Sequence, residues 1–422
     1  MLGIKGIKKM QLGWIDFSKE DKSNALNVIN SLKDKGVLDE LGFGIIRQAF
    51  ANYLFPGTST IQTRAKYFLI IPYELQDYIR IGHPPKGDAA SFVKRAQELI
   101  DWNERCVGHN LINHCSTDPQ TSGIIGARSI AGKSWVERPP LSIYWNGLRT
   151  YHFFRNDNPN FTYNDFLTEI YNLERNKAAA RSSANDDNKD DKNDSDAGNY
   201  SKKSPLIKVD TYKKGWDKEV DIELTQEEAR FLRNRIINSV PDSMMSLLLK
   251  ENIDLEGCIN AGYNNSFELF TKVIKEYIDD ETAKILELAN RLNDFYYITM
   301  LRYSYQLCKG EVEDIAEKWN SAYPDVKKIC NSFDIDDLFK TMNIKNPKLR
   351  IFLFKLKEAF LKDDIEQADF LIRRREFTLK TNRAKLSKPD YKDLEAGTYS
   401  KFDYRLSNAW TIIRDIRNGE GR

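Results

Sequence analysis

Between Phe55 and Tyr73 the chain reads FPGTSTIQTRAKYFLIIPY. A Pro-Gly turn leads into the hydroxyls of Thr58, Ser59 and Thr60. Gln62 and Thr63 follow, then the cations Arg64 and Lys66, then an apolar block. Hydroxyls and cations at the start of a helix suit an anion, because the free N–H groups and the helix dipole add positive potential there. The same hydroxyls equally cap a helix that binds nothing, and Arg64 equally pairs with a carboxylate inside the fold. Both readings stand at this level. The residues around this stretch also fit a helix-turn-helix: a first helix over Phe43–Leu54, a turn at Phe55–Gly57 and a second helix from about Thr58. The first residues of such a second helix face nucleic acid. Thr58, Ser59, Thr60, Gln62, Thr63, Arg64 and Lys66 are therefore candidate contacts to DNA or RNA. Ile61, Ala65, Phe68 and Leu69 supply the buried face, leaving Gln62, Thr63 and Lys66 outside it.

A second candidate surface is RRREFTLKTNRAKLSK, Arg373–Lys388, with seven cations and one Glu. It is the strongest local charge asymmetry in the chain. A solvated helix face and a surface for nucleic acid or a protein partner both account for it. Phe377, Leu379 and Leu386 are expected to anchor it, while Arg373, Lys380, Arg383 and Lys385 project; Arg374 is a further candidate contact. The Gly/Ser-rich TSGIIGARSIAGKSW reads as a loop or short hairpin, a wing that puts Arg128 and Lys133 near a nucleic-acid backbone. It is not a phosphate-binding P-loop: the span from Gly126 to Gly132 is one residue too long for G-x4-G-K-S, and no apolar strand precedes it.

Other chemistries find less support. CVGHNLINHC gathers Cys106, His109, His114 and Cys115, all zinc-ligand types. On one helix only two of them converge, since neighbouring residues point apart, and no second Cys pair lies nearby. No metal or cofactor is expected. No G-x-S-x-G elbow, H-x-K pair or strand-borne carboxylate set is present, so a binding protein is favoured over an enzyme. A nuclease with an unfamiliar site and a purely protein-binding adaptor remain the alternatives.

The elements that position these residues read as helices: a mainly α fold in two helical parts, with helix-turn-helix or winged-helix-like elements in the first and few strands. Asn176–Ser204 is rich in Asn, Asp, Lys and Ser with almost no apolar side chains, and so is expected to be a disordered linker. It separates residues 1–175 from residues 205–422. In the second part ELTQEEARFLRNRI carries a capping box at Thr225 and Glu228. DDETAKILELANRLNDFYYITMLRYSYQL reads as a central core helix. Across 422 residues, 64 Lys+Arg nearly balance 62 Asp+Glu, so any basic surface must come from local segregation of charge. Five scattered cysteines suit reduced thiols, and no stretch approaches a membrane span. A soluble cytoplasmic protein is expected.

Several stretches together resemble a prokaryotic domain-of-unknown-function family. They are GWIDFSKED (Gly13–Asp21), LFPGTSTIQTRAKYFLIIPY, GIIGARS, SIYWNGLR (Ser142–Arg149), LTQEEARFLRNRI (Leu224–Ile236) and FDYRLSNAWTIIRDI. The second is the most specific. The resemblance implies a component of mobile bacterial loci that also encode helicases, phospholipase-D-like nucleases or methyltransferases. It thus implies a role in defence against phage, with a helicase or nuclease subunit as partner. It brings no catalytic residues with it. The Cys/His cluster does not belong to the family's pattern, and the long acidic linker departs from it.

Overall fold

Where helical periodicity is strong, the chain is helical. The computed structural model describes residues 39–130, 136–186, 206–388 and 399–421; the GWIDFSKED stretch and Lys133 lie outside them. Ten helices carry the argument. They are α1 (Gly44–Leu54), α2 (Tyr67–Ile81), α3 (Ala89–His114), α4 (Pro140–Thr150), α5 (Tyr163–Asp186), α6 (Gln226–Ser239), α7 (Asp280–Leu307), α8 (Pro347–Leu361), α9 (Ile365–Lys380) and α10 (Leu406–Glu420). Shorter helices link α6 to α7 and α7 to α8. Among the described residues there is no sheet, only an isolated antiparallel bridge between Phe154 and Ile207.

Side-chain caps set several starts. Asp88 accepts from the Ser91 N–H ahead of α3, and Asp279 from the Thr282 N–H ahead of α7. The Thr225–Glu228 capping box at α6 is formed in both directions. Helix α7 is the expected core helix, buried from Ile285 to Leu307 along its inner face.

Other sequence expectations are corrected. The second helix of the supposed helix-turn-helix begins at Tyr67, not near Thr58, so residues 55–66 form an irregular segment between α1 and α2. No side chain caps α2. TSGIIGARS, read as a loop or short hairpin, forms turns that lead into a short helix, Ala127–Ile130. Helix α5 continues to Asp186, well into the segment read as linker from Asn176.

Glu40–Arg422 packs as one unit, and residues before and after the acidic segment share its core. Arg155 N–H donates to the Leu206 carbonyl (3.1 Å) and Lys208 N–H to that of Phe153 (2.7 Å), which seats the chain directly after that segment. Helix α6 packs on α10, α2 on α3 and α4, α3 on α5, and α9 on both α7 and α8. No helix among the described residues is long and apolar enough to cross a membrane.

The turn at Pro56-Gly57 is clamped by α4. Gly57 has φ +81°, and a Cβ there would lie 2.7 Å from the Tyr151 ring. Tyr151 OH donates to the Pro56 carbonyl at 2.9 Å. A Cβ on Gly147 of α4 would lie 2.4 Å from the Gly57 carbonyl oxygen, so only glycine admits the turn. Replacing Gly147 by Ala is therefore expected to cost about 1–3 kcal/mol of overpacking in a urea titration. Gly257, in a short helix where an added Cβ would meet nothing within 4 Å, serves as control. Gly257→Ala should gain about 0.5–1 kcal/mol.

Candidate nucleic-acid interface

Residues 55–66 use most of their polar groups internally. Thr58 Oγ1 donates to the Phe55 carbonyl (2.6 Å), Gln62 Nε2 to that of Gly57 (3.1 Å), and Gln62 Oε1 accepts from Ser59 N–H (3.0 Å). Thr63 Oγ1 donates to the Gly123 carbonyl at 2.7 Å. The Tyr144 hydroxyl accepts from the N–H groups of Thr63 (2.9 Å) and Arg64 (3.0 Å) and donates to the Arg64 carbonyl (2.8 Å). Helix α10 holds the same segment from the other side. Arg405 donates to the Thr58 carbonyl (2.8 Å) and Asn408 to that of Gln62 (3.2 Å). Only Thr60 among the candidate contacts here is exposed.

The two cations reach acids far along the chain. Arg64 Nε lies 2.9 Å from Asp415 Oδ2, Nη2 lies 2.6 Å from Glu223 Oε1, and Nη1 donates to the Ser122 carbonyl at 2.7 Å. The Ala65 N–H also donates to Asp415 Oδ2 at 2.8 Å. Burial pushes the Asp415 carboxyl up against the opposing pull of Arg64. Lys66 is 5% exposed, and its ammonium lies 2.7 Å from Glu228 Oε2 and 3.1 Å from the Glu223 carbonyl oxygen. A cation preceding α2 works against that helix's dipole, whereas Glu228, in the first turn of α6, is favoured by its own. The capping glutamate of α6 is thus also the counterion of Lys66. Tyr73 OH lies 2.7 Å from Thr211 Oγ1 and 3.3 Å from Glu228 Oε1. The expectation that Gln62 and Lys66 lie off the buried face is corrected, because no helix places them there.

The basic segment divides differently from its expected pattern. Lys380 and Lys385 do not project; both pair with the fully buried Glu40, Lys385 at 3.1 Å. Arg375 donates to the Leu41 carbonyl (2.9 Å) and lies over the Phe352 ring (5.3 Å). Buried Glu376 accepts from Tyr303 OH (2.8 Å) and from the N–H groups of Lys385 (2.8 Å) and Leu386 (3.0 Å). Leu386 packs against the core, but Phe377 and Leu379, expected as anchors, face solvent.

What remains outside is a defined array. Arg373, Arg374, Arg383 and Lys388 are exposed. No carboxylate among the described residues pairs with Arg373, Arg374 or Arg383. Phe370, Arg373, Arg374 and Phe377 stand at i, i+3, i+4 and i+7, so they form one stripe of α9. The two rings are 50% and 52% exposed. At 1.5 Å per residue their positions are about 10 Å apart along the helix. On α8, Ile351 and Phe354 are exposed as well, with Arg350 over the Phe354 ring. Sequence reading missed Phe370, although the seven-residue step to Phe377 through a run of arginines was there to see.

Arg128 is exposed on its short helix; Lys133 lies outside the described residues. His114 Nδ1 sits 3.2 Å from the Val220 carbonyl oxygen and Cys115 Sγ 3.6 Å from Thr117 Oγ1, while Cys106 is exposed. Among the described residues no three His, Cys, Asp or Glu side chains gather as a metal ion requires.

Residues 9–169 match a family described as one of unknown function, DUF6361. The match takes in the first four of the stretches quoted above and stops before α6. No curated protein and no solved structure matches the chain.

Removing the Lys66 charge should strand Glu228 in the core. Lys66→Met is expected to lose about 3–5 kcal/mol in a urea titration, the cost of an orphaned buried charge. Adding Glu228→Gln, which keeps a capping side chain, should restore part of that loss.

Proposed function

We propose that this chain is a non-catalytic component of a bacterial antiphage defence system that binds nucleic acid through the outward stripe of α9. One observation carries the reading. Arg373, Arg374 and Arg383 point outward without a carboxylate partner among the described residues, while the neighbouring cations Arg375, Lys380 and Lys385 are taken up inside the fold. Unpaired arginines attract a phosphate backbone. Phe370 and Phe377 beside them offer ring faces on which unpaired bases stack, which fits a single strand better than a duplex. The defence setting and a helicase or nuclease partner in the cytoplasm rest on the resemblance of the quoted stretches. They suit a protein that holds a strand while another subunit acts on it.

A second reading has its own support. Exposed Ile351 and Phe354 on the neighbouring α8, and Leu379 on α9, add an apolar component that a protein partner would cover. The same variants separate the two. Arg373→Glu, Arg374→Glu and Arg383→Glu together should weaken binding of a fluorescent single-stranded oligonucleotide and leave the melting temperature near wild type. Each lost phosphate contact should reduce the slope of log affinity against log salt by about 0.7. Unchanged oligonucleotide affinity in the triple variant would leave the stripe to a protein partner.

A further inference from the structure

Glu74 on α2 and Glu104 on α3 line one small cavity in the core. They are 4% and 3% exposed. Ile70, Val107, Leu111, Ile125 and Pro140 supply most of the remaining wall. Glu104 Oε1 accepts from the Leu141 N–H at 2.7 Å. Its Oε2 and both oxygens of Glu74 are buried with no hydrogen-bond partner among the described residues. The space between them holds no more than a single water.

An ionised carboxylate in such a place needs a counterion or several donors. None is in reach among the described residues. The groups acting on the pair are Asp77 of α2 and Asp101 and Cys106 of α3, every one of them acidic. Tyr67 of α2 accepts from the Ile125 N–H at 2.8 Å, and Tyr163 of α5 has a buried hydroxyl without a partner among the described residues. Both feel the two glutamates. On the flank Tyr78 stacks on His83, with Arg95 and Glu174 beyond them. Arg95 acts on Tyr78 and not on the glutamates.

We propose that Glu74 and Glu104 form a proton-sharing carboxyl pair that seats α2 on α3 while it is protonated and loosens that packing when it ionises. A metal ion fits the cavity less well, because its wall is mostly hydrocarbon and no third acidic or imidazole ligand among the described residues joins the pair. The proton supplies what the cavity lacks. A neutral carboxyl donates as well as accepts, so the pair and one water satisfy each other. Burial pushes Glu74 well above the usual carboxylate range, with Glu104 adding to it, and burial lifts Glu104 to about 8 against the pull of the Leu141 N–H. Unfolded glutamates lose their protons near pH ~4.3. Above that the folded chain binds more protons than the unfolded one, so stability falls as pH rises and levels off once the folded pair has ionised.

The test uses the full chain and its Glu74→Gln, Glu104→Gln and double variants. Urea midpoints are followed from about pH 5 to about pH 9, and an infrared spectrum at neutral pH is searched for the carbonyl stretch of a buried neutral carboxyl. The wild-type midpoint should fall steadily over this range. Glu74→Gln should fall less steeply and match or exceed wild type at the alkaline end, and the infrared band should disappear in the double variant. Equal pH slopes in wild type and both single variants, with no neutral-carboxyl band in wild type, would overturn the proposal. A wild-type midpoint raised by added sodium, potassium or magnesium, but not that of Glu74→Gln, would overturn it too, as the pair would then be an ionised cation site. Absence of the infrared band from wild type overturns the proposal even where a variant does not fold.

Discussion

A lysine ammonium with almost no access to water must sit on a carboxylate, and here Lys66 sits on Glu228. That requirement fixes much else. Glu228 is the N3 residue of the α6 capping box, so the start of α6 is placed against the start of α2. Arg64, two residues earlier, is held by Asp415 of α10, and α10 packs along α6. The segment between α1 and α2 is therefore gripped by two helices distant from it in sequence, α6 and α10. Arg405 and Asn408 complete the grip on its carbonyl groups. Buried ion pairs of this kind add little net stability, but breaking one is costly, so they specify which helices meet more than how tightly.

With Arg64 and Lys66 committed inward, the positive surface moves elsewhere. The α9 segment shows the same economy. Arg375, Lys380 and Lys385 serve Leu41 and Glu40, at the point where the described chain begins. Glu376 meanwhile ties the segment after α9 back to α7 through Tyr303. These inward contacts fix the rotation of α9 about its axis. That rotation is what leaves Phe370, Arg373, Arg374 and Phe377 outside. The stripe stands on a rigid, doubly anchored helix, which suits a surface that must present rings and guanidinium groups at set spacing.

Local signals in the sequence carried through to structure. The capping box at Thr225 and the long core helix α7 were both legible, because caps and apolar period are set by residues a few positions apart. The helix-turn-helix was not, for a physical reason. Pro-Gly followed by hydroxyls signals a turn and then a helix start, but Thr58 and Gln62 use their side chains to close turns on Phe55 and Gly57, delaying the helix to Tyr67. The partners of Arg64 and Lys66 lie in α10 and α6, and no local pattern in one sequence announces a contact of that range. Lys380 and Lys385 were misjudged likewise, since nothing near them in sequence points to Glu40. The capping role of Glu228 was visible and its role as counterion was not, although one carboxylate performs both.

Two basic stretches stood out in the sequence, and the structure separates them: residues 55–66 are a latch, and the α9 stripe is the surface left open. Amide hydrogen exchange on the full chain, with and without a saturating single-stranded oligonucleotide, tests that separation most directly. Added protection confined to Ile365–Lys388, with Phe55–Lys66 exchanging slowly and equally in both states, is the predicted result. New protection across Phe55–Lys66, with none at Ile365–Lys388, would contradict it and return the phosphate contact to the segment that opens α2.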